Sequence, residues 1–524
     1  MKIHAAPLWL SFAFGFCAFW LGGCASAPSS EASGSAALRL IVAPQTLRSD
    51  EVTLVWDKPE GRSGLGYQVL RDGAVLTTTP KTYFTAAGLA PARDYVFTVR
   101  TVEAGKPALS SNAVSLRTLA KEPVVSVREH GAVGDGKTLD TRALQAAIDA
   151  CPKGGVVRIP AGVFLSGALY LKSDMTLEIA KGGVLKGSAD PKDYLPFNRN
   201  RFEGWEMDTH ASLLNAGRLD RAGPANIRNL SIRGEGVISG GGRTLSDAII
   251  GQYAKRVDGL RARGRLILLM NAENVEISGL TLEEPQCWTL HYIYSANVSL
   301  HGLTIRSAVR NGDGIDPDSS VNSYIFNCTF DTGDDCIAIK SGKNPEGNVV
   351  DRPTVGVRIF DCDFVRGHGI SIGSEMSGGV RDVLVEDCVA GALLHGMQIK
   401  GTKDRGGFVE NVTVRNCDLQ QITIYTELPY NNDGEAAPVQ PSFRNFRFSD
   451  IDLTKADPTK PVIVVNGFPA EGHRTKNLRF DRITLPVGAR VTIDRAEDVV
   501  FTETRTTGGT APAYEVTRSE RVAY

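Results

Sequence analysis

The chain has 524 residues, 42% of them hydrophobic, which is enough apolar material for two or three domains or one long repetitive one, and too much for a disordered polymer. Its 58 basic and 59 acidic residues leave a net charge of −1. That balance excludes the broad basic face a nucleic-acid partner needs, yet it leaves room for a local basic cluster facing an anionic sugar polymer.

The N-terminus reads as an export signal. Lys2 and His4 precede an apolar run at residues 7–21, which is too short for an ordinary membrane span. Leu21-Gly22-Gly23-Cys24 and a Ser/Ala/Gly-rich stretch follow. This segment resembles a bacterial lipoprotein processing site. The resemblance implies a signal peptide at residues 1–23, lipidation of Cys24 and a flexible tether at 24–37. The protein is then expected as an outer-membrane lipoprotein, periplasmic or on the cell surface, and as a secreted protein if Cys24 is incidental. Membrane contact is expected through the lipid alone.

Residues 38–118 are expected to form a small β-sandwich. V-T-L-V-W (52–56), Y-Q-V-L-R (67–71) and Y-V-F-T-V-R-T-V (95–102) alternate as half-buried strands do, and Asp72-Gly73 suits a hairpin turn. With Trp56, Tyr67, Leu89 and Tyr95 the pattern resembles a fibronectin type III domain. Its expected role is a spacer rather than a carbohydrate-binding module, since fold alone does not assign function.

A linker at residues 120–123 leads to a large region at 124–512. It opens with G-A-V-G-D-G-K-T-L-D (131–140) and one amphipathic helix at 141–151, with Asp140 placed as N-cap. Short β segments then recur at intervals of roughly 20–35 residues, each ending at a Gly, Asn or Asp turn, among them N-V-E-I-S-G-L-T-L, G-V-R-I-F-D-C-D-F and N-V-T-V-R-N-C-D-L. The expected fold is therefore all-β, a right-handed parallel β-helix preceded by the small sandwich, with the helix capping the open end. Seven cysteines follow the signal segment, an odd number with no C-x-x-C pair. Cys328, Cys362, Cys388 and Cys417 occupy one place in the repeat and should stack inside as small apolar groups, which favours packing over redox or zinc roles.

Four strings carry the chemistry. D-G-I-D-P-D, D-C-I-A-I-K, H-G-I-S-I-G and H-G-M-Q-I-K begin at Asp313, Asp335, His368 and His395. Placed in register on adjacent coils, their first residues form a column with about 4.8 Å between rungs. Strict alternation would bury those first residues, so a corner at Gly312, Gly333 and Gly367 is expected to turn them out. Single Asp-Gly pairs are usually turns, as at Asp135-Gly136, and a calcium ladder is a further reading. Stacked carboxylates in common register point instead to glycoside hydrolysis, in which one carboxyl donates a proton and another activates water. Crowding of negative charge raises one pKa so that a proton is retained.

N-G-D (311–313), G-D-D (333–335), G-H-G (367–369) and Q-I-K (398–400) together resemble the four motifs of glycoside hydrolase family 28, the polygalacturonases. The resemblance implies Asp334 as general acid, with Asp313 and Asp335 activating water and His368 ordering the acid's protonation. It also implies Asn311, Gln398 and Lys400 at the substrate, with Lys400 on a carboxylate. Pectic polysaccharide is the implied substrate, cleaved with inversion and without cofactor or metal. Gln398 stands where the family usually has arginine, and a neutral amide replaces a charged fork. Lys340, Lys343, Lys403 or Arg405 is expected to compensate, or else the substrate is a modified pectin such as rhamnogalacturonan. His395 fits a cleft or a packing role equally. R-F-E-G-W-E (201–206) and S-E-M-S-G-G-V-R (374–381) are similar to strings of exo-acting bacterial members, and residues 197–265 are expected to supply the loop closing the cleft. The rivals are a calcium-dependent pectate lyase and a non-catalytic carbohydrate-binding solenoid.

Overall fold

The computed structural model describes residues 38–62, 64–253, 263–427 and 434–524. The expected signal peptide, Cys24 and the tether lie outside the described residues.

The N-terminal unit pairs two antiparallel sheets. One joins Leu40–Val42, Glu51–Trp56 and Tyr83–Ala87; the other joins Ala74–Thr79, Gly66–Arg71, Asp94–Val102 and Val114–Arg117. The strands alternate inward and outward, so Trp56, Tyr67, Leu89 and Tyr95 share one core with Phe97 and Val99. Asp72 and Gly73 both adopt positive φ, as a two-residue hairpin with matching twist requires.

The rest is a right-handed parallel β-helix built from three long sheets of fifteen, nine and twelve strands. Each coil contributes about one strand to each sheet, and register holds from coil to coil. In the twelve-strand sheet Ile315, Ile337, Ile370, Met397 and Ile422 succeed one another across four pairings, and all belong to one continuous core. Beyond residue 512, Ala513–Thr517 and Glu520–Ala523 continue two of the sheets. The helix Thr141–Ala150 inserts Leu144, Ala147 and Ile148 into the core beside the first coils. Asp140 holds the N-cap position, but its carboxylate accepts from Val133 N and Gly134 N instead of the helix amides. The Gly-rich turn before it competes for the same oxygens and is nearer.

Two ladders make the repeat visible. Asn229, Asn274, Asn297 and Asn322 all sit in the left-handed region at one corner, and each side chain donates to the one a coil earlier, ending on Asp174. Inside, Cys328, Cys362, Cys388 and Cys417 stack as buried free thiols, each Sγ 3.2–3.5 Å from the carbonyl two residues back. Burial raises the last three thiols, which fits inert packing.

The N-terminal unit lies against the fifteen-strand sheet, on a different face from the twelve-strand one. Tyr83 packs on Phe326 and Phe360, which stack with His301 along the outer surface. Arg48 reaches the fully buried Glu276 at 2.5 and 2.7 Å, and Arg358 bridges Glu386 to the Trp56 carbonyl. The unit therefore covers an apolar stripe of the solenoid.

Candidate active site

The four strings fall in register on adjacent coils. Gly314 N donates to Asp335 O, Cys336 N to Gly369 O and Ile370 N to Gly396 O, so Asp313, Asp335, His368 and His395 occupy one station. Third positions point into the core, while fourth positions, Asp316, Ala338, Ser371 and Gln398, point to the outer face. Asp335 joins that outer face, since its Oδ1 accepts from Ser371 Oγ at 2.7 Å.

The expected corner takes a different form in each coil. Gly367 has φ +141, and a Cβ there would meet Thr332 Oγ1 at 2.3 Å and Cys336 Sγ at 2.6 Å. At Gly312 the left-handed residue is its neighbour Asn311, and a Cβ on Gly312 would strike Ser307 Oγ at 2.1 Å. Gly333 has an ordinary φ and only moderate crowding. One glycine is thus needed for conformation and another for space.

Asp313, Asp334 and Asp335 come together, each with its own partner. Asp334 Oδ1 lies 3.1 Å from His368 Nδ1, and Asp335 Oδ2 lies 3.5 Å from Lys400 Nζ. Asp313 Oδ2 lies 3.5 Å from Lys340 Nζ. Asp313 and Asp335 are nearly covered, whereas Asp334 and His368 are partly open to solvent. His395 meets the His368 ring edge to face at 5.8 Å.

The charges divide unequally. Burial first, then the Asp316, Asp334 and Asp335 carboxylates, push Asp313 well above the usual range against the pull of Lys340. Burial likewise raises Asp316 to about 7. Burial would raise Asp334 too, but the hydrogen bond and charge of His368 outweigh it and lower the group. The same bond raises His368. Crowding is therefore expressed on the Asp313–Asp316 pair, while the Asp334–His368 contact favours an ionised carboxylate beside a charged imidazole. Ligand atoms of Asp334, Asp335 and His368 lie within 4.8 Å of one another, a grouping that could also hold a divalent cation.

The remaining residues sort by burial. Asn311 is at the turn, its Oδ1 accepting from Arg263 Nη2 at 2.8 Å. Gln398 is 1% exposed and accepts from Tyr425 OH at 3.1 Å, so the amide is not displayed as a surface fork. Of the cations expected to replace arginine, Lys343 lies 4.2 Å over the Trp205 ring and Arg405 braces Asn344 and the Ser374 carbonyl. Lys403 is exposed. Lys340 alone among them faces the aspartates.

The sequence pattern missed Asp316 and Ser371; it named Lys340 only as a stand-in for arginine and did not link it or Glu375 to Asp313. For Asp316 and Ser371 the signal was the fourth position of the same strings, which shares the outer face with Asp335.

Part of residues 197–265 folds over this face. Asn198–Phe202 and Trp205–Thr209 form a hairpin, while Leu214–Ala216, Ile227–Gly234 and Val237–Ser239 build an ordinary coil. The fully buried Arg201 pairs with Asp318 at 2.6 Å, and Phe202 stacks on Trp288. At the hairpin tip Lys343 N donates to Gly204 O, and a Cβ on Gly204 would come 2.3 Å from Lys343 Cβ and 3.0 Å from Glu375 Cγ.

A parallel β-helix bearing three clustered carboxylates on one outer face fits a glycosidase. The chain matches the family described as glycosyl hydrolases family 28 over residues 157–493 and belongs to it. It is thus a glycoside hydrolase. It is 30% identical to the exo-poly-alpha-D-galacturonosidase of Dickeya chrysanthemi, across 84% of this chain and 86% of that one. Identity to the endo-polygalacturonase of Pectobacterium carotovorum is 29%, across 62% of this chain and 80% of that one. Among solved structures, the family 28 exopolygalacturonase of Yersinia enterocolitica superposes with a TM-score of 0.84 at 28% identity, over 93% of this chain and 99% of that one.

Proposed function

We propose that the protein is an exo-acting polygalacturonase, hydrolysing α-1,4-galacturonosyl linkages from the ends of pectic chains. The observation that carries this reading is the convergence of Asp313, Asp334 and Asp335 on one face within a family 28 chain. The breadth of the match to the exo-acting relatives supports attack at chain ends. So does the hairpin at 198–209, whose tip rests beside Glu375, a neighbour of Lys340 next to Asp313.

In this reading Asp334 is the general acid. The proton of the Asp334–His368 pair reaches the leaving glycosidic oxygen through Asp334 as the C–O bond breaks. Water attacks the anomeric carbon and loses its proton to the carboxylates of Asp313 and Asp335, with inversion as the family resemblance implies. Lys400 exchanges its contact with Asp335 for a substrate carboxylate, and Asn311 and Gln398 shape the same subsite. The buried, neutral Gln398 gives a second reading its footing: rhamnogalacturonan or another modified pectin, which asks less of that position. We further read residues 1–23 as a signal peptide, Cys24 as a lipid anchor and 24–37 as a tether. Residues 38–118 are then a fibronectin type III-like unit and 124–512 the catalytic region of an exported pectin-degrading enzyme.

Product analysis on polygalacturonate and rhamnogalacturonan, by chromatography and proton NMR with and without EDTA, tests this. The expected result is saturated mono- or short oligogalacturonide with inverted anomeric configuration, released from chain ends and insensitive to the chelator. A chelator-sensitive, ultraviolet-absorbing unsaturated product would instead mean β-elimination. Binding without any product would mean a carbohydrate-binding solenoid.

A further inference from the structure

One ammonium serves three carboxylates beneath the site. Lys340 Nζ lies 3.5 Å from Asp313 Oδ2, 3.5 Å from Asp316 Oδ1 and 3.6 Å from Glu375 Oε2. It rests 4.6 Å over the Trp288 ring, which also contacts Phe202 and the fully buried Arg265. An ammonium has three N–H donors, and these near-equal distances commit it to none of the three acceptors. They also exceed the usual length of a charge-assisted hydrogen bond, so the cation acts as a shared counter-charge.

Asp316 is the unusual member. It has no exposed surface, and apart from the Asp313 carboxyl neither carboxylate oxygen has a hydrogen-bond donor among the described residues. A buried carboxylate without such bonds is costly unless a cation or a shared proton compensates. Lys340 supplies the first, and the neighbouring Asp313 carboxyl can supply the second. Being fully covered, Asp316 cannot touch a substrate.

We propose that Asp316 and Lys340 are positioning residues that set the charge on Asp313, Asp316 favouring its protonated form and Lys340 the ionised form that takes a proton from water. This rests on the reading of Asp313 as a water-activating group. The other charged groups around it are accounted for. On its own strand Asp313 faces Asp316, and from the next coil Asp334, Asp335 and Lys340. Arg265 acts on both Asp313 and Asp316 from two coils earlier. Glu375 acts through Lys340 and is itself held to about 2 because Lys340, Arg405 and Lys343 outweigh its burial. His368 acts through Asp334, and Lys400 through Asp335.

The two residues push in opposite directions, so their removal should split the pH profile. The acidic limb of kcat/KM reports ionisation of the base in the free enzyme. Asp316→Asn removes a negative neighbour and should move that limb down by about one pH unit. Lys340→Met removes the positive one and should move it up by about as much. A role confined to packing would lower activity without displacing the limb. The inference is overturned if the limbs stay in place or move together. Should Lys340→Met fail to fold, the nearly isosteric Asp316→Asn decides alone, and an unmoved or raised limb overturns the idea. A wild-type protein that releases no product from polygalacturonate would sink the hydrolase reading itself. Activity with unsplit limbs would sink only this one.

Discussion

The thiol column at Cys328, Cys362, Cys388 and Cys417 and the column beginning Asp313, Asp335 and His368 are made by the same coil repeat. In the first, identical small groups point into the apolar core, and their polar contacts are with carbonyls. In the second, the residues change from coil to coil, and every carboxylate is answered by a different cation, Lys340, His368 or Lys400. A repeat stacks like on like at no cost when the group is neutral. When the group is charged, stacking forces compensation from neighbouring coils, and the chemistry resides in that compensation.

The largest test of the contrast is Asp334→Asn. The substitution keeps the shape of the side chain and removes the proton that the Asp334–His368 pair can deliver. Activity on polygalacturonate should fall by about 10³-fold or more, since a general acid contributes roughly 10²–10⁴. Thermal stability and retention on a polygalacturonate affinity gel should be nearly unchanged. Retained hydrolysis would remove Asp334 from the acid role.

Next in size is the seam between the two parts of the molecule. Glu276 is fully buried, and Arg48 and His301 outweigh burial to lower it from 4.5 to about 2. A carboxylate whose folded pKa is depressed stabilises the fold above its unfolded pKa, and loses that contribution as pH falls through the folded value. Arg48→Ala should therefore cost about 3 kcal/mol at neutral pH, the usual scale for a broken buried pair. The melting temperatures of variant and wild type should converge as pH drops from about 4.5 toward 2. A gap independent of pH would mean that Arg48 acts by packing alone.

The coil repeat, the capping helix, the thiol column and the register of the four strings were legible because each rests on local spacing. What escaped rests on contacts between distant segments. Arg48 meets Glu276 from 228 residues away, and Tyr83 meets Asp361 from 278. No periodicity records either. Lys340 gathers Asp313 and Asp316 from the coil before it and Glu375 from beyond the coil after it, and the string D-C-I-A-I-K offers it as a cation for substrate without showing these partners. Asp140 occupies the position the pattern assigned, but its carboxylate answers a turn instead of the helix. The cation expected to replace the missing arginine could not be chosen in advance, because Lys343, Lys403 and Arg405 differ from Lys340 only in where the hairpin and the turns place them.

The smallest effect should come from the thiols themselves. Cys362 Sγ lies 3.5 Å from Phe360 O and 3.8 Å from Ile325 O, both weak contacts for sulfur. Cys362→Ala removes one atom from a packed interior and should cost about 1 kcal/mol, with kcat and KM unchanged. In the wild type the buried thiols should resist a thiol reagent until the protein unfolds, because burial disfavours the thiolate. A loss of kcat in Cys362→Ala at constant fold would show that strain crosses the solenoid interior. The two columns would then be mechanically coupled rather than merely built on one repeat.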